Sequence, residues 1–237
     1  MKMETNAQLL ARWKGALPVS VDVGGLISRN AVAHKWKAPF RSLVVREALI
    51  WRMHDLGEQI EILSERQYYL GARVLLRSAL ETLAILIYLN QKMNAVVNGE
   101  LSFFKFDDVT KKLLMGSRNE STPETTVNIL TVLQKAERAH EGIVALHERL
   151  SESAHPNYDG VLYGYSNSNP AEYETTFESN WIRNFGVEQE PATEFVLHVF
   201  EYEYNEIWPA EFEALEAWLE ENDDELEAQR NASNNAI

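Results

Sequence analysis

Apolar residues recur at helical spacing through most of this chain, and the interruptions in that pattern mark its turns. Leu9, Leu10 and Trp13 predict a short amphipathic helix, and the stretch from Gly15 to Gly25, with Pro18 and Gly24-Gly25, reads as a loop. Pro39 suits the first turn of a helix, which Leu43, Ile50, Met53, Ile60 and Leu63 extend to about Glu65. A second helix runs from about Gln67 to Met93. Its Leu75, Leu76, Ala79, Leu80, Leu83, Ile87 and Tyr88 form a surface so continuous that the helix must be central. Asn98-Gly99 ends it, and Phe103 to Met115 predicts a short helix.

Thr122-Pro123-Glu124 has the order of a helix start: hydroxyl cap, proline, then acid. The helix predicted from there carries Val127, Leu130, Leu133, Ile143, Leu146 and Leu150, and must stop before Pro156. Two β-prone runs, Val161 to Tyr165 and Tyr173 to Phe177, flank Asn167-Ser168-Asn169-Pro170 and predict a hairpin. Pro191 is expected to open a last long helix, kinked at Trp208-Pro209 and continued by Phe212, Leu215 and Leu219. The fold class is therefore all-α: an antiparallel bundle of four major helices with a small β-hairpin near 161–178. Residues 1–219 read as one domain, and 220–237, acidic and then Asn-rich, as a disordered tail.

Composition narrows the functional classes. There is no cysteine among the 237 residues, so disulfides, zinc–thiolate sites and thiol nucleophiles are excluded, and a reducing cytoplasm suits the chain. The N-terminal residues lack the basic-then-apolar layout of a secretory leader. Arg77 and Glu81 interrupt the longest apolar run, so no membrane span is expected. The net charge is −14, but it is uneven. Nine acids against Arg230 alone follow from Glu211 onward, whereas Arg29, Lys35, Lys37, Arg41, Arg46 and Arg52 face only Glu47 between 29 and 52. This argues against a general nucleic-acid coat and leaves room for a local basic face.

Two clusters could carry chemistry. Arg77 and Glu81 lie four apart on the most apolar helix, with Arg73 one turn earlier, and charges there need partners. They read either as a structural ion pair or as the lining of a polar pocket. The second cluster is the helix end Ser151-Glu152-Ser153-Ala154-His155-Pro156-Asn157, where His147, Ser151 and His155 share one stripe. Glu137-x-x-His140 and Glu152-x-x-His155 have the spacing of carboxylate-bridged metal bundles, but both sit on one predicted helix, about 22 Å apart, so they cannot share a metal pair. Neither a metal site nor a cofactor is assigned. Arg-x(4–6)-His occurs at Arg29/His34 and Arg149/His155, a spacing that could hold a phosphate beside a proton-transferring imidazole.

The set Lys37-x-Pro39-Phe40, Arg46-Glu47-Ala48, Arg77-x-x-x-Glu81 and Leu150-Ser151-Glu152-x-x-His155-Pro156-Asn157-x-x-Gly160 resembles a group of uncharacterised bacterial helical proteins similar to the HEPN superfamily. The resemblance spans roughly residues 37 to 165. It implies a helical bundle that pairs as a homodimer, and many such proteins are metal-independent endoribonucleases of defence or toxin-type systems, using Arg-x(4–6)-His. Leu150 stands where that motif has a polar residue after the arginine, and Arg29/His34 lies early in the chain.

Two readings follow. In the first, the chain cleaves RNA with His155 moving the proton, Arg149 or Arg77 holding phosphate, Glu81 and Glu152 supporting them, and Asn157, Ser151 and Arg46 binding. In the second, it is a non-catalytic helical binding or interaction module in which an Arg–Glu–His network stabilises the bundle. The deciding contact is whether His155 reaches Arg77, Glu81 or the counterpart in a second copy; the second reading joins Glu152–His155 to Arg77–Glu81 in one internal network.

Overall fold

A computed structural model describes residues 4–234. The helices follow the apolar stripes closely wherever propensity and burial agree. The helices α1 (Asn6–Ala16), α2 (Val23–Arg29), α3 (Lys37–Glu65), α4 (Tyr69–Val97), α5 (Phe103–Met115), α6 (Ile129–Ala136) and α7 (Ile143–Ala154) precede two short strands, β1 (Ser166–Asn169) and β2 (Glu174–Phe177). After these come α8 (Trp181–Tyr202) and α9 (Trp208–Asn234). The chain is all-α with one small hairpin.

The chain divides into two compact units, each assembled from three stretches. One unit contains the stretch through Leu17, Leu49–Leu86 and Ile129–Tyr202; the other contains Pro18–Ala48, Ile87–Asn128 and the stretch from Glu203 onward. Helices α3 and α4 contribute to both, which is why the apolar stripes showed no boundary. In the first unit Thr5 and Gln8 form a capping box that starts α1. Trp13 of that helix lies 5.7 Å from Phe200 of α8, and Met53, Ile60, Leu76, Leu80, Leu83 and Leu197 are buried. In the second unit Trp36, Phe103 and Trp218 make the aromatic centre: Trp36 meets Phe103 edge-on at 5.3 Å, and Phe103 stacks on Trp218 at 6.2 Å.

Four local expectations change. The helix predicted from Thr122 does not start there: the Thr122 hydroxyl bonds to the Met115 carbonyl, and Ser117 N–H donates to Glu124 O at 2.8 Å, so the segment closes α5 instead. The rest of it splits into α6 and α7. Gly142 takes a φ of +98°, a conformation that favours glycine, and the Glu137 carboxylate accepts from Gly142 N at 3.0 Å and Val144 N at 2.8 Å. The first predicted β run is instead a π-helical turn at Tyr158–Tyr163, and the hairpin pairs Ser166 with Phe177 through Asn169 with Glu174. Side chains hold that turn: Asn184 donates to Tyr163 O at 2.7 Å and Ser166 to Leu162 O at 2.7 Å. The last long helix begins at Trp181, ten residues ahead of Pro191. The carbonyl that Pro191 leaves without a donor belongs to exposed Val187. As expected, the helix changes character near Trp208-Pro209, here through a π-helical turn at Glu203–Ile207.

The acidic stretch from 220 is helical through Asn234, not disordered, and 235–237 lie outside the described residues. Its acids meet the basic stretch noted in the sequence. Asp223 accepts from Lys35 Nζ at 2.5 Å and Trp36 Nε1 at 2.9 Å, Glu220 accepts from Asn30 Nδ2 at 2.9 Å, and Glu216 pairs with Arg29 at 2.5 Å. The Lys35 ammonium, and then the Trp36 N–H, hold Asp223 below the usual carboxylate range. Opposite charge and a buried Leu226 order a segment that composition alone marks as solvated.

Backbone N–H groups of Val144, Gly142 and Ile143 hold Glu137 below its ordinary pKa. Its contribution is therefore present above the unfolded-state value and is lost as pH falls through the lower folded value. Glu137→Ala is expected to cost about 1 kcal/mol at neutral pH. The gap from wild type should narrow as pH falls through the lowered folded value, read by urea denaturation of both proteins from neutral into acid pH.

Candidate functional site

The first unit gathers the charges that α4 carries on its apolar stripe. Arg73, Arg77 and Glu81 are spaced by four residues and so project from successive turns. Arg73 Nε donates to Ser153 Oγ at 2.8 Å, while Arg77 and Glu81 meet His147, six residues earlier on α7. Contacts that move forward along α4 as they move back along α7 make the two helices antiparallel.

At the centre of the second contact is Glu81 Oε1. His147 Nε2 lies 3.0 Å from it and Arg77 Nε lies 3.4 Å from it. Arg77 Nε is also 3.4 Å from His147 Nε2. One imidazole nitrogen bears either a proton or a lone pair, so Nε2 cannot both donate to Glu81 and accept from Arg77. The shorter contact, to a carboxylate, favours the proton on Nε2, and Arg77 then meets the same Glu81 oxygen as an ion pair at 3.4 Å. His147 is only 6 % exposed. The arrangement is a strut, in which the protonated Nε2 has no lone pair to act as a base.

Arg73 has a different environment. It is 2 % exposed, its guanidinium lies 4.7 Å over the Phe185 ring, and burial pulls its pKa below the usual arginine range. Besides Ser153, it reaches the Arg149 carbonyl at 3.5 Å, and its nearest carboxylate oxygen, on Glu188, is 3.9 Å away. Arg73 forms part of the wall of a cleft of about 420 Å³, together with Arg149, Glu141, Glu188 and an apolar side that includes Leu146 and Phe195.

His155 does not join Arg77 and Glu81. It caps the C-terminus of α7 in an extended conformation ahead of Pro156, is exposed, and its side chain makes no hydrogen bond or ion pair among the described residues. Eight residues separate it from His147, about 12 Å of helix. The segment around it is built as a helix stop. Asn157 Oδ1 accepts from Gly160 N at 3.3 Å, its Nδ2 bonds to Glu152, and a side chain at Gly160 would collide with the His155 carbonyl. Arg149 and Glu152 are exposed, and Ser151 Oγ is buried without a partner. Arg46 belongs to the other unit, where Glu47 and Tyr204 hold it. In that unit too, Arg29 of the early Arg/His pair is taken by Glu216. No group of three or more His, Asp or Glu side chains among the described residues is arranged to hold a metal ion.

The residues not singled out as site residues were His147, Arg73 and Ser153. Four-residue spacing from Arg73 through Glu81 was a readable signal; which polar residue of α7 would face each was not. A family model described as a family of unknown function (DUF5677) matches residues 48–160, a stretch that contains α4 and α7. No curated protein and no solved structure matches the chain. No helix among the described residues is long and apolar enough to cross a membrane.

His147→Ala is expected to destabilise the fold by about 1–3 kcal/mol, since it strips Glu81 and Arg77 of a buried partner. His155→Ala should stay within about 0.5 kcal/mol of wild type. Chemical denaturation of the two variants side by side checks both, and equal effects would show that the strut contributes nothing.

Proposed function

We propose that this protein is a non-catalytic helical binding module that holds a small anionic ligand in the cleft beside Arg73. The Arg77–Glu81–His147 contact serves as the strut that keeps α4 and α7 in register. The observation that carries the reading is the state of Arg73: an almost fully buried cation whose hydrogen bonds go to neutral oxygens and whose nearest carboxylate lies beyond hydrogen-bond distance. A buried charge is costly without a close counter-charge, and a ligand oxyanion would supply one. Arg149, exposed on the same cleft, is a second donor. Glu141 and Glu188 at the same cleft repel a polyanion, and Leu146, Pro191 and Phe195 offer an apolar wall. These features favour one negative group on an apolar body.

The ribonuclease reading keeps one observation in its favour. Arg149 and His155 are both exposed at the end of α7, with Glu152 and Asn157 bonded beside them, as a site completed by a second copy would need. Incubating the protein with RNA at concentrations that allow pairing, beside His155→Ala, tests this. Cleavage lost in the variant would replace the binding-module reading, whereas no cleavage by either would remove the catalytic one.

For the cleft, benzoate and phenyl phosphate are expected to raise the melting temperature of the wild type, and benzyl alcohol is not. Arg149→Ala should keep the basal melting temperature and lose most of the anion-dependent rise. Equal shifts from benzoate and benzyl alcohol would overturn the assignment.

A further inference from the structure

The second unit contains a cavity of about 450 Å³ that the cleft reading does not use. Its wall comes from the loop at 18–22, α2, α3 and the start of α9. Tyr204, Trp208, Phe212 and Glu216 follow one another at four-residue spacing along the π-helical turn and α9, and two arginines interleave with them. The Arg46 guanidinium lies 3.7 Å from the Tyr204 ring centre and 4.4 Å from that of Trp208. Trp208 stacks on Phe212 at 4.5 Å with 16° between the planes, and Arg29 lies 5.6 Å over Phe212. The result is a cation–aromatic ladder in the wall of the cavity.

Most of its polar atoms are paired, but two N–H groups are not. Arg46 Nη1 and Tyr204 Oη both donate to Glu47, each at 2.5 Å. Arg46 Nη2 donates to Tyr204 O at 3.0 Å, the carbonyl to which Pro209, five residues on, has no N–H to give. Arg46 Nε and Trp208 Nε1 remain buried with no acceptor. Both residues line the cavity, and Trp208 is 5 % exposed. Two buried N–H donors without acceptors in one wall are uncommon in a folded interior, where nearly all such groups are paired. Each cation at the cavity already has a carboxylate partner. Arg46 is met by Glu47 and Arg29 by Glu216, and Asp22 lies on the same wall, its carboxylate accepting from Gly25 N. The remaining surface, including Pro18, Leu26, Leu43 and Pro209, is apolar.

We infer that this cavity is a binding site for a neutral, planar, largely apolar molecule that carries a carbonyl oxygen, held against the ladder with that oxygen accepting from Arg46 Nε and Trp208 Nε1. An apolar body matches the lining of Pro18, Leu26, Leu43 and Pro209, an acceptor completes the two open donors, and an anion would face Glu47 and Asp22. The volume suits a small two-ring compound.

Coumarin, a neutral bicyclic lactone, is the probe, with naphthalene as the analogue that lacks an acceptor and coumarin-3-carboxylate as the charged one. Calorimetric titration of the full chain should show coumarin binding most tightly of the three. Trp208→Phe, which keeps the stack and removes the N–H, should weaken coumarin about tenfold and leave naphthalene unchanged. Ser20→Trp, at an exposed loop position on the cavity wall, should block coumarin without altering the fold, so the test stands even where Trp208→Phe is unstable. Equal affinity for coumarin and naphthalene, tighter binding of the carboxylate, or no coumarin binding by the wild type would each overturn the inference.

Discussion

A helix buried along its length can carry charge only where a partner meets each charged group, because transfer from water costs several kcal/mol per unpaired ion. That condition acts on α4 most strongly at buried Arg73, and in part at Arg77 and Glu81, whose side chains are 31 % and 29 % exposed. Its Leu76, Leu80 and Leu83 are fully buried, yet the same helix bears Arg73, Arg77, Glu81 and Thr82 in one unit and Asn90 in the other. In the first unit Ser153 and His147 of α7 answer the charges, and Arg52 donates to Thr82 at 3.1 Å. In the second, Asn90 donates to Glu203 at 2.7 Å, at the start of the π-helical turn. Apolar packing could tolerate a slide of α7 along α4 by one turn. The polar contacts cannot, so register follows from them.

The same condition separates strut from site. His147, Glu81 and Arg77 satisfy one another, and a satisfied network holds structure without inviting a ligand. Arg73 hydrogen-bonds only to neutral oxygens, with Glu188 at 3.9 Å, and in the second unit Arg46 and Trp208 each keep an unused N–H. Incomplete partnering inside an otherwise well-packed chain is the common property of the two cavities to which a ligand is assigned. It is also what His155 lacks, since an exposed imidazole is satisfied by water at no cost.

Much of the architecture was legible in the linear pattern. Helical periodicity placed α1, α3, α4 and α5 within a few residues, because in those segments intrinsic preference, capping residues and burial point the same way. The misplaced boundaries share a cause. Thr122 and Asn184 donate side-chain hydrogen bonds to backbone carbonyls, and Glu137 and Asn157 accept from backbone N–H groups, at the places where the observed elements depart from the pattern, and such bonds compete with regular structure. Pro191 signals a helix start by its missing N–H, yet the exposed backbone around Val187 lets a helix pass through it.

By itself, then, the sequence determined that the chain is helical, which faces are apolar, and that Arg77 and Glu81 would need a partner, since periodicity and the cost of buried charge act within single elements. It also held the basic stretch from Arg29 and the acidic stretch from Glu211 in plain view, but as separate facts. Only the tertiary structure decided that Lys35 and Asp223 are each other's counter-ions, that the chain divides into two units, and that His147 rather than His155 reaches Glu81. Two histidines eight residues apart on the same stripe are equivalent in a helical pattern. Which of them is buried depends on the axial position of one helix against another, a quantity carried by contacts between residues more than sixty positions apart in the chain.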